Sequence, residues 1–159
     1  MHRIAGVLLS SALIACASAP RSGPETFQAK LDPASEVPAP SIGSAMPSGT
    51  ASFTNDGSSI VYKVSVSGLS SAPVAAHIHV GAPGAAGPVI VPLVVVAGPG
   101  EGTAVGEGSI DAAAIKGKNA DGSPMTFGDL LAALRGGSTY VNVHTANNKA
   151  GEVRGQIQP

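Results

Sequence analysis

Apolar and polar residues alternate along most of this chain, in short runs separated by glycine, proline, asparagine and aspartate. In a β-strand such alternation places the apolar side chains on one face and the polar side chains on the other. The run from Ile60 to Val66 shows the pattern, because every second residue in it is apolar or aromatic. Runs of this kind predict about eight short strands, over residues 27–31, 49–54, 60–66, 74–80, 89–96, 103–110, 139–145 and 152–157.

One segment departs from this alternation and predicts a helix. Apolar residues recur there at helical spacing, at Phe127, Leu130, Leu131 and Leu134. Thr126 is a suitable N-terminal cap with Asp129 three residues later, and two glycines follow Arg135, so the helix is expected over residues 126–135. Many strands without intervening helices favour an antiparallel all-β fold, and we predict a Greek-key sandwich with this one short helix.

The composition fits one domain with an aliphatic core. The chain has 159 residues, of which 43% are hydrophobic and only 3% aromatic, so valine, isoleucine, leucine and alanine are expected to fill the core. The formal net charge is −1, and the sequence has no basic patch interleaved with aromatic residues. Nucleic acid is therefore excluded as an expected partner.

The first residues predict export and a lipid anchor. Arg3 precedes an apolar stretch over residues 4–14, which is too short to span a bilayer permanently. The segment Leu13-Ile14-Ala15-Cys16 resembles a bacterial lipobox, in which the cysteine thiol is alkylated with diacylglycerol. Because Cys16 is the only cysteine of the chain, lipidation is favoured over a simple signal peptide in which Cys16 is incidental.

The chain is expected to have three parts. We predict a lipoprotein signal peptide over residues 1–16, a tether over residues 17–26 and one folded domain over residues 27–159. The domain is expected to be exported and held on the periplasmic or outer-surface side of a bacterial membrane. Its expected partners are that membrane, through the lipid anchor, and either another envelope protein or a metal ion.

Three of the four histidines lie in two predicted strands and supply the main candidate chemistry. His77 and His79 are two residues apart, so both side chains project from the same face of their strand. Alternation in the last two strands groups two further polar sets, Tyr140 with Asn142 and His144, and Glu152 with Arg154 and Gln156. A β-domain that brings these strands together is expected to assemble one polar cluster.

The order of these segments closely resembles the CHRD (chordin) domain family. The motifs that carry the resemblance are Glu36-Val37-Pro38, His77-Ile78-His79, Tyr140-Val141-Asn142-Val143-His144-Thr145 and Gly151-Glu152-Val153-Arg154-Gly155-Gln156-Ile157. It extends over about residues 27–157 and implies an immunoglobulin-like β-sandwich. It implies no established catalysis, because the family takes its name from repeats in a secreted growth-factor antagonist, and its bacterial members are mostly exported proteins of unassigned function.

The sequence leaves several interpretations of the histidines open. In one, His77, His79 and His144 bind a single copper or zinc ion, because neutral imidazole suits both metals and three ligands can leave one position open. In another, the histidines form a buried hydrogen-bond network that fastens the sheet. A third is an organic ligand or a catalytic role. The residues expected to support the histidines in the first two cases are Asn142, Glu152 and Arg154.

No catalytic residue is predicted. The chain lacks the Gly-x-Ser-x-Gly turn of serine hydrolases. Five acidic residues that could act as paired carboxylates fall in turn-like or exposed contexts: Asp32, Glu36, Glu101, Glu107 and Asp111. The glycine-rich segment 81–88 is expected to bend the chain away from the histidine strand. The favoured function is thus a binding or structural module without catalysis, and the alternative is a mononuclear copper or zinc protein for metal handling or superoxide chemistry.

Overall fold

The computed structural model describes residues 23–159, in which nine strands form two antiparallel sheets. The strands are β1 (Glu25–Leu31), β2 (Ser48–Asn55), β3 (Ile60–Ser67), β4 (Pro73–Val80), β5 (Val89–Leu93), β6 (Val96–Ala97), β7 (Ala104–Ile110), β8 (Thr139–Thr145) and β9 (Val153–Gln156). A single α-helix, α1 (Phe127–Arg135), lies between β7 and β8 in this part of the chain. The predicted all-β sandwich with one short helix is confirmed.

The two sheets have the strand orders β1-β2-β3-β7-β6 and β5-β4-β8-β9. The chain passes from one sheet to the other after β3, β5 and β7. At one corner the sheets are joined, because Gln28 and Gln158 exchange two backbone hydrogen bonds of 2.8 Å, and Asp32 and Arg154 exchange two of 3.0 Å. This junction brings the segment after β1 beside β9, at the sheet that carries the histidines.

The core lies between the sheets and follows the alternation in the sequence. In β3 every second side chain is buried, from Ile60 to Val66. β4 and β8 contribute Ile78, Val141 and Val143, which are fully buried. The helix buries Leu130, Leu131 and Leu134 of its predicted apolar stripe, and Phe127 is partly buried. Its start is a capping box in which the Thr126 hydroxyl accepts a hydrogen bond from the Asp129 amide and the Asp129 carboxylate accepts one from the Thr126 amide.

Two features of the last strands and the β5 region differ from the prediction. The run 89–96, predicted as one strand, forms β5 and β6 in different sheets, and the Val94 amide between them donates a 2.8 Å hydrogen bond to the Tyr62 hydroxyl. Alternation could not reveal this switch, because the run is almost entirely apolar. β9 starts at Val153, so Glu152 lies outside the strand in which it was expected to alternate with Arg154.

The predicted signal peptide and Cys16 lie outside the described residues. β1 begins at Glu25, inside the segment predicted as a tether. Within residues 23–159, no helix has the length and apolar character needed to cross a bilayer.

Candidate metal centre

His77, His79 and His144 converge on the outer face of the four-stranded sheet. β4 and β8 are antiparallel neighbours, with His77 opposite Asn142 and His79 opposite Tyr140. Each histidine offers one ring nitrogen, and the three nitrogens lie within 4.8 Å of one another. The structure thus brings together the three histidines that the sequence singled out.

Backbone carbonyls fix the orientation of two of the rings. His79 Nδ1 lies 2.9 Å from the Gly87 carbonyl oxygen, and His144 Nδ1 lies 2.9 Å from the Lys149 carbonyl oxygen. A carbonyl oxygen only accepts hydrogen bonds, so each Nδ1 carries the proton and donates it. The Nε2 atom of His79 and that of His144 therefore hold the lone pairs of the neutral rings.

His77 and His144 are hydrogen-bonded to each other, whereas His79 is bonded to neither of them. His77 Nδ1 lies 2.9 Å from His144 Nε2 and donates to its lone pair. His79 Nε2 is buried and has no hydrogen-bond partner among the described residues. A buried nitrogen lone pair next to two other imidazoles is an arrangement that a metal ion satisfies.

All three imidazoles are neutral near pH 7. Burial, assisted by the neighbouring His144 and His79 rings, lowers the pKa of His77 from 6.5 to about 4. Burial is also the main cause that lowers the pKa of His79 and of His144, and it outweighs the opposing bonds to the backbone carbonyls. Neutral imidazole is the metal-binding form, so few protons compete for these ligands at neutral pH.

The glycine-rich loop is part of the site. It returns to β4, where the Val80 amide donates a 3.2 Å hydrogen bond to the Pro88 carbonyl oxygen, so the expectation that it bends away from the histidine strand is wrong. Its Gly87 carbonyl accepts from His79, and its Gly87 amide donates to the Tyr140 hydroxyl at 3.1 Å. Any side chain at Gly87 would collide with the Val80 carbonyl oxygen, which explains the glycine at this position.

Tyr140 and Arg154 are stacked behind His79. The Tyr140 ring lies nearly parallel to the His79 ring, with 4.7 Å between centroids and an interplanar angle of 10°. The guanidinium carbon of Arg154 lies 3.4 Å from the centroid of the Tyr140 ring. Arg154 is only 2% exposed and donates a 3.0 Å hydrogen bond to the Ala82 carbonyl oxygen. Arg154 thus reaches the histidines through Tyr140.

Asn142 joins the cluster to Glu36. Its Nδ2 atom donates to both carboxylate oxygens of Glu36, at 2.7 and 2.9 Å. Glu36 follows a 3-10 turn, Pro33–Ser35, which fits the turn-like context expected for it, but it is only 5% exposed, so it does not lie in an exposed context. Burial raises the pKa of Glu36 from 4.5 to about 7, against the lowering effects of the Asn142 bond and the Arg154 charge. The junction of β1 with β9 is what carries Glu36 into this position.

Glu152 belongs to a different network. Its carboxylate accepts hydrogen bonds from Ser70, Thr145 and Asn148. Although burial acts to raise the pKa of Glu152, these hydrogen bonds keep it below its ordinary value. The bonds fasten the β8–β9 turn to the segment before β4. The carbonyls of Gly87 and Lys149 hold the His79 and His144 rings, the role that the sequence suggested for Glu152 and Asn142.

Comparison with known protein families gave a match over nearly the whole domain. The family model of the CHRD domain matches residues 27–157, a range that contains the three histidines, Glu36, Tyr140 and Arg154. Neither the search of curated proteins nor the search of solved structures gave a match. The family match spans nearly all of the described residues. The chain therefore belongs to the CHRD-domain family.

Proposed function

We propose that this domain is a metal-binding module that holds one copper or zinc ion through ring nitrogens of His77, His79 and His144, with Nε2 as the ligand atom of His79 and of His144. The ion replaces the hydrogen bond between His77 Nδ1 and His144 Nε2, so the proton on His77 Nδ1 leaves that atom when the metal binds. The observation that carries the proposal is the buried Nε2 atom of His79, which has no partner among the described residues and lies in a group of three imidazole nitrogens within 4.8 Å. Buried polar atoms are nearly always paired, so an unpaired one at a ligand cluster points to a missing ligand.

The hydrogen-bond network interpretation accounts for less of the geometry. It explains the His77–His144 contact and the two bonds to backbone carbonyls. It leaves His79 Nε2 unsatisfied. Two other buried atoms, Thr139 Oγ1 and Asn142 Oδ1, also lack a partner in the described structure, but His79 Nε2 alone among the three belongs to the histidine cluster.

The chemistry of the three ligands supports binding of either metal. Imidazole suits both copper and zinc, and three protein ligands can leave one coordination position open. Membership of the CHRD family favours a binding or structural module, and the contacts around the histidines provide rigid support for an ion. Fixed ring tautomers on two of the three ligands reduce the reorganisation that binding requires.

Metal binding is expected to raise the thermal stability of the purified domain. A ligand present at a hundred times its dissociation constant stabilises the native state by about 2.7 kcal/mol, which for a domain of this size raises the unfolding midpoint by roughly 10 °C. The measurement compares unfolding with copper, with zinc and with a chelator. An unchanged unfolding midpoint at several metal equivalents would rule out the metal centre and favour the hydrogen-bond network.

We further propose that lipidation of Cys16 holds this module on the periplasmic or outer-surface side of a bacterial membrane. The lipobox-like segment that ends at Cys16, the chain's only cysteine, supports the proposal. Cys16→Ser is expected to abolish acylation and to release the full-length protein from the membrane fraction. Ser18→Ala, two residues further on, is the control and should behave as wild type. Equal partitioning of the Cys16 variant and wild type into detergent would show that the protein is not anchored by a lipid on Cys16.

A further inference from the structure

We propose that the three-histidine site selects cuprous copper over zinc, and that Arg154 supplies this selectivity. The inference rests on the metal centre proposed above and specifies the charge of the ion that this centre prefers. It follows from the charges around the ligands, because imidazole by itself accepts both metals.

The ligand set does not neutralise the charge of an ion. In residues 23–159 the cluster of metal-binding groups consists of His77, His79 and His144, without a carboxylate. Neither of the nearby buried acids supplies a ligand oxygen, since the Glu36 carboxylate accepts from Asn142 and the Glu152 carboxylate accepts from Ser70, Thr145 and Asn148. Partial burial makes an uncompensated divalent ion more costly to hold than a monovalent one.

Arg154 adds a permanent positive charge behind the site. In the order β4-β8-β9, Tyr140 on β8 lies between His79 on β4 and Arg154 on β9. The guanidinium packs against the ring at 3.4 Å, and the ring stacks on His79 at 4.7 Å. A guanidinium is charged at every relevant pH, and side chains instead of water fill the space between it and the metal ligand.

This charge acts more strongly against a divalent ion than against a monovalent one. Coulomb energy is proportional to the charge on the ion, so the repulsion from Arg154 is twice as large for Zn²⁺ as for Cu⁺.

The side chain of Arg154 is well held for this role. It is 2% exposed and donates to the Ala82 carbonyl at 3.0 Å, while the Tyr140 ring beside it is 3% exposed. Burial limits the screening that weakens the effect of surface charges. Arg154 is therefore a positioning and selectivity residue that acts on the metal through Tyr140, without itself being a ligand.

The test measures dissociation constants for Cu⁺, under anaerobic conditions with a competing chelator, and for Zn²⁺ on the same protein. Wild type is expected to bind Cu⁺ more tightly. Arg154→Met removes the charge and is expected to shift the ratio of the two constants toward zinc by roughly tenfold. Arg154→Lys keeps the charge and should retain most of the preference. Arg135→Met is the matched control, because Arg135 lies on α1, is exposed and pairs with Glu25.

The outcomes separate this inference from the proposed function. Failure of wild type to bind either ion would overturn both. Binding of both ions with zinc held more tightly by wild type would overturn the cuprous preference alone, and this comparison does not depend on any variant folding. A ratio unchanged in a folded Arg154→Met protein would remove Arg154 from the explanation and leave the three-histidine site in place.

Discussion

Replacing His79 with alanine is expected to lower the affinity of the domain for copper or zinc by more than about 100-fold, since loss of even a supporting partner of a ligand typically costs about 10–100-fold. The change removes the buried Nε2 atom around which the proposed centre is built. His77→Ala and His144→Ala are expected to lose affinity to a similar degree, because each leaves two ligands. Competition titration of the metal-free proteins measures the effect, with circular dichroism as the check that each variant is folded.

Lys149→Ala is the matched control for these variants. Its backbone carbonyl holds His144, whereas its side chain is exposed, so the substitution keeps the hydrogen bond and should leave metal affinity unchanged. The hydrogen-bond network interpretation makes a different prediction: each histidine variant loses stability, and metal has no effect on any of them. Wild-type affinity in a folded His79→Ala protein would rule out this site.

Local alternation predicted the sheets well where one strand face is buried and the other is exposed. Ile60–Val66 shows this, because its polar residues mark the outer face. The pattern fails at 89–96, where apolar residues on both faces conceal the passage from one sheet to the other. It fails again at Glu152, because the start of β9 is set by the turn that Glu152 helps to hold, and a two-residue period does not encode that turn.

The shared face of His77 and His79 was predictable because their spacing is local, whereas the contact of His144 with His77 spans 67 residues of sequence. His77 and His79 share a strand, and the hairpin signal after β8 placed His144 on a strand of its own. The supporting atoms were not predictable in the same way. Every residue has a backbone carbonyl, so the residue types at Gly87 and Lys149 do not indicate that their carbonyls hold the rings. Only the folded backbone brings these two carbonyls to His79 and His144.

The surroundings of the Glu36 side chain were also not predictable from local sequence. It lies 106 residues from Asn142 in sequence, and the β1–β9 junction brings the two together. Nothing local in Glu36-Val37-Pro38 indicates burial. The signal that pointed to Glu36 was the family motif, in which it stands with the histidine strands, although its contact with Asn142 was visible only in the structure.

The burial of Glu36 gives the metal-free domain a specific pH dependence. The carboxyl pKa is 4.5 ordinarily and about 7 in the native state, so the native protein binds its proton more tightly than the unfolded chain. The contribution of Glu36 to stability is therefore complete below about pH 4.5 and is lost as the pH rises through 7, by about 3 kcal/mol in total. The histidines act in the opposite direction, because burial lowers the pKa of His77 to about 4, so their effect favours folding as the pH rises toward 6.5.

Glu36→Gln is expected to separate these two effects. Glutamine cannot ionise, and its amide can donate to the buried Asn142 Oδ1, which has no partner in the described structure. The free energy of unfolding of wild type minus that of the variant should therefore be level below about pH 4.5, fall by about 3 kcal/mol toward neutral pH and be level again above 7. Denaturant unfolding in the presence of a chelator measures this difference.

Asp56→Asn is the control for this measurement. Hydrogen bonds from Ser58 and Ser59 lower the pKa of exposed Asp56 to about 2. Its difference curve should therefore be flat between about pH 5 and 8. A flat curve for Glu36→Gln as well would mean that Glu36 titrates at its ordinary pKa and that the segment after β1 does not hold it buried in solution.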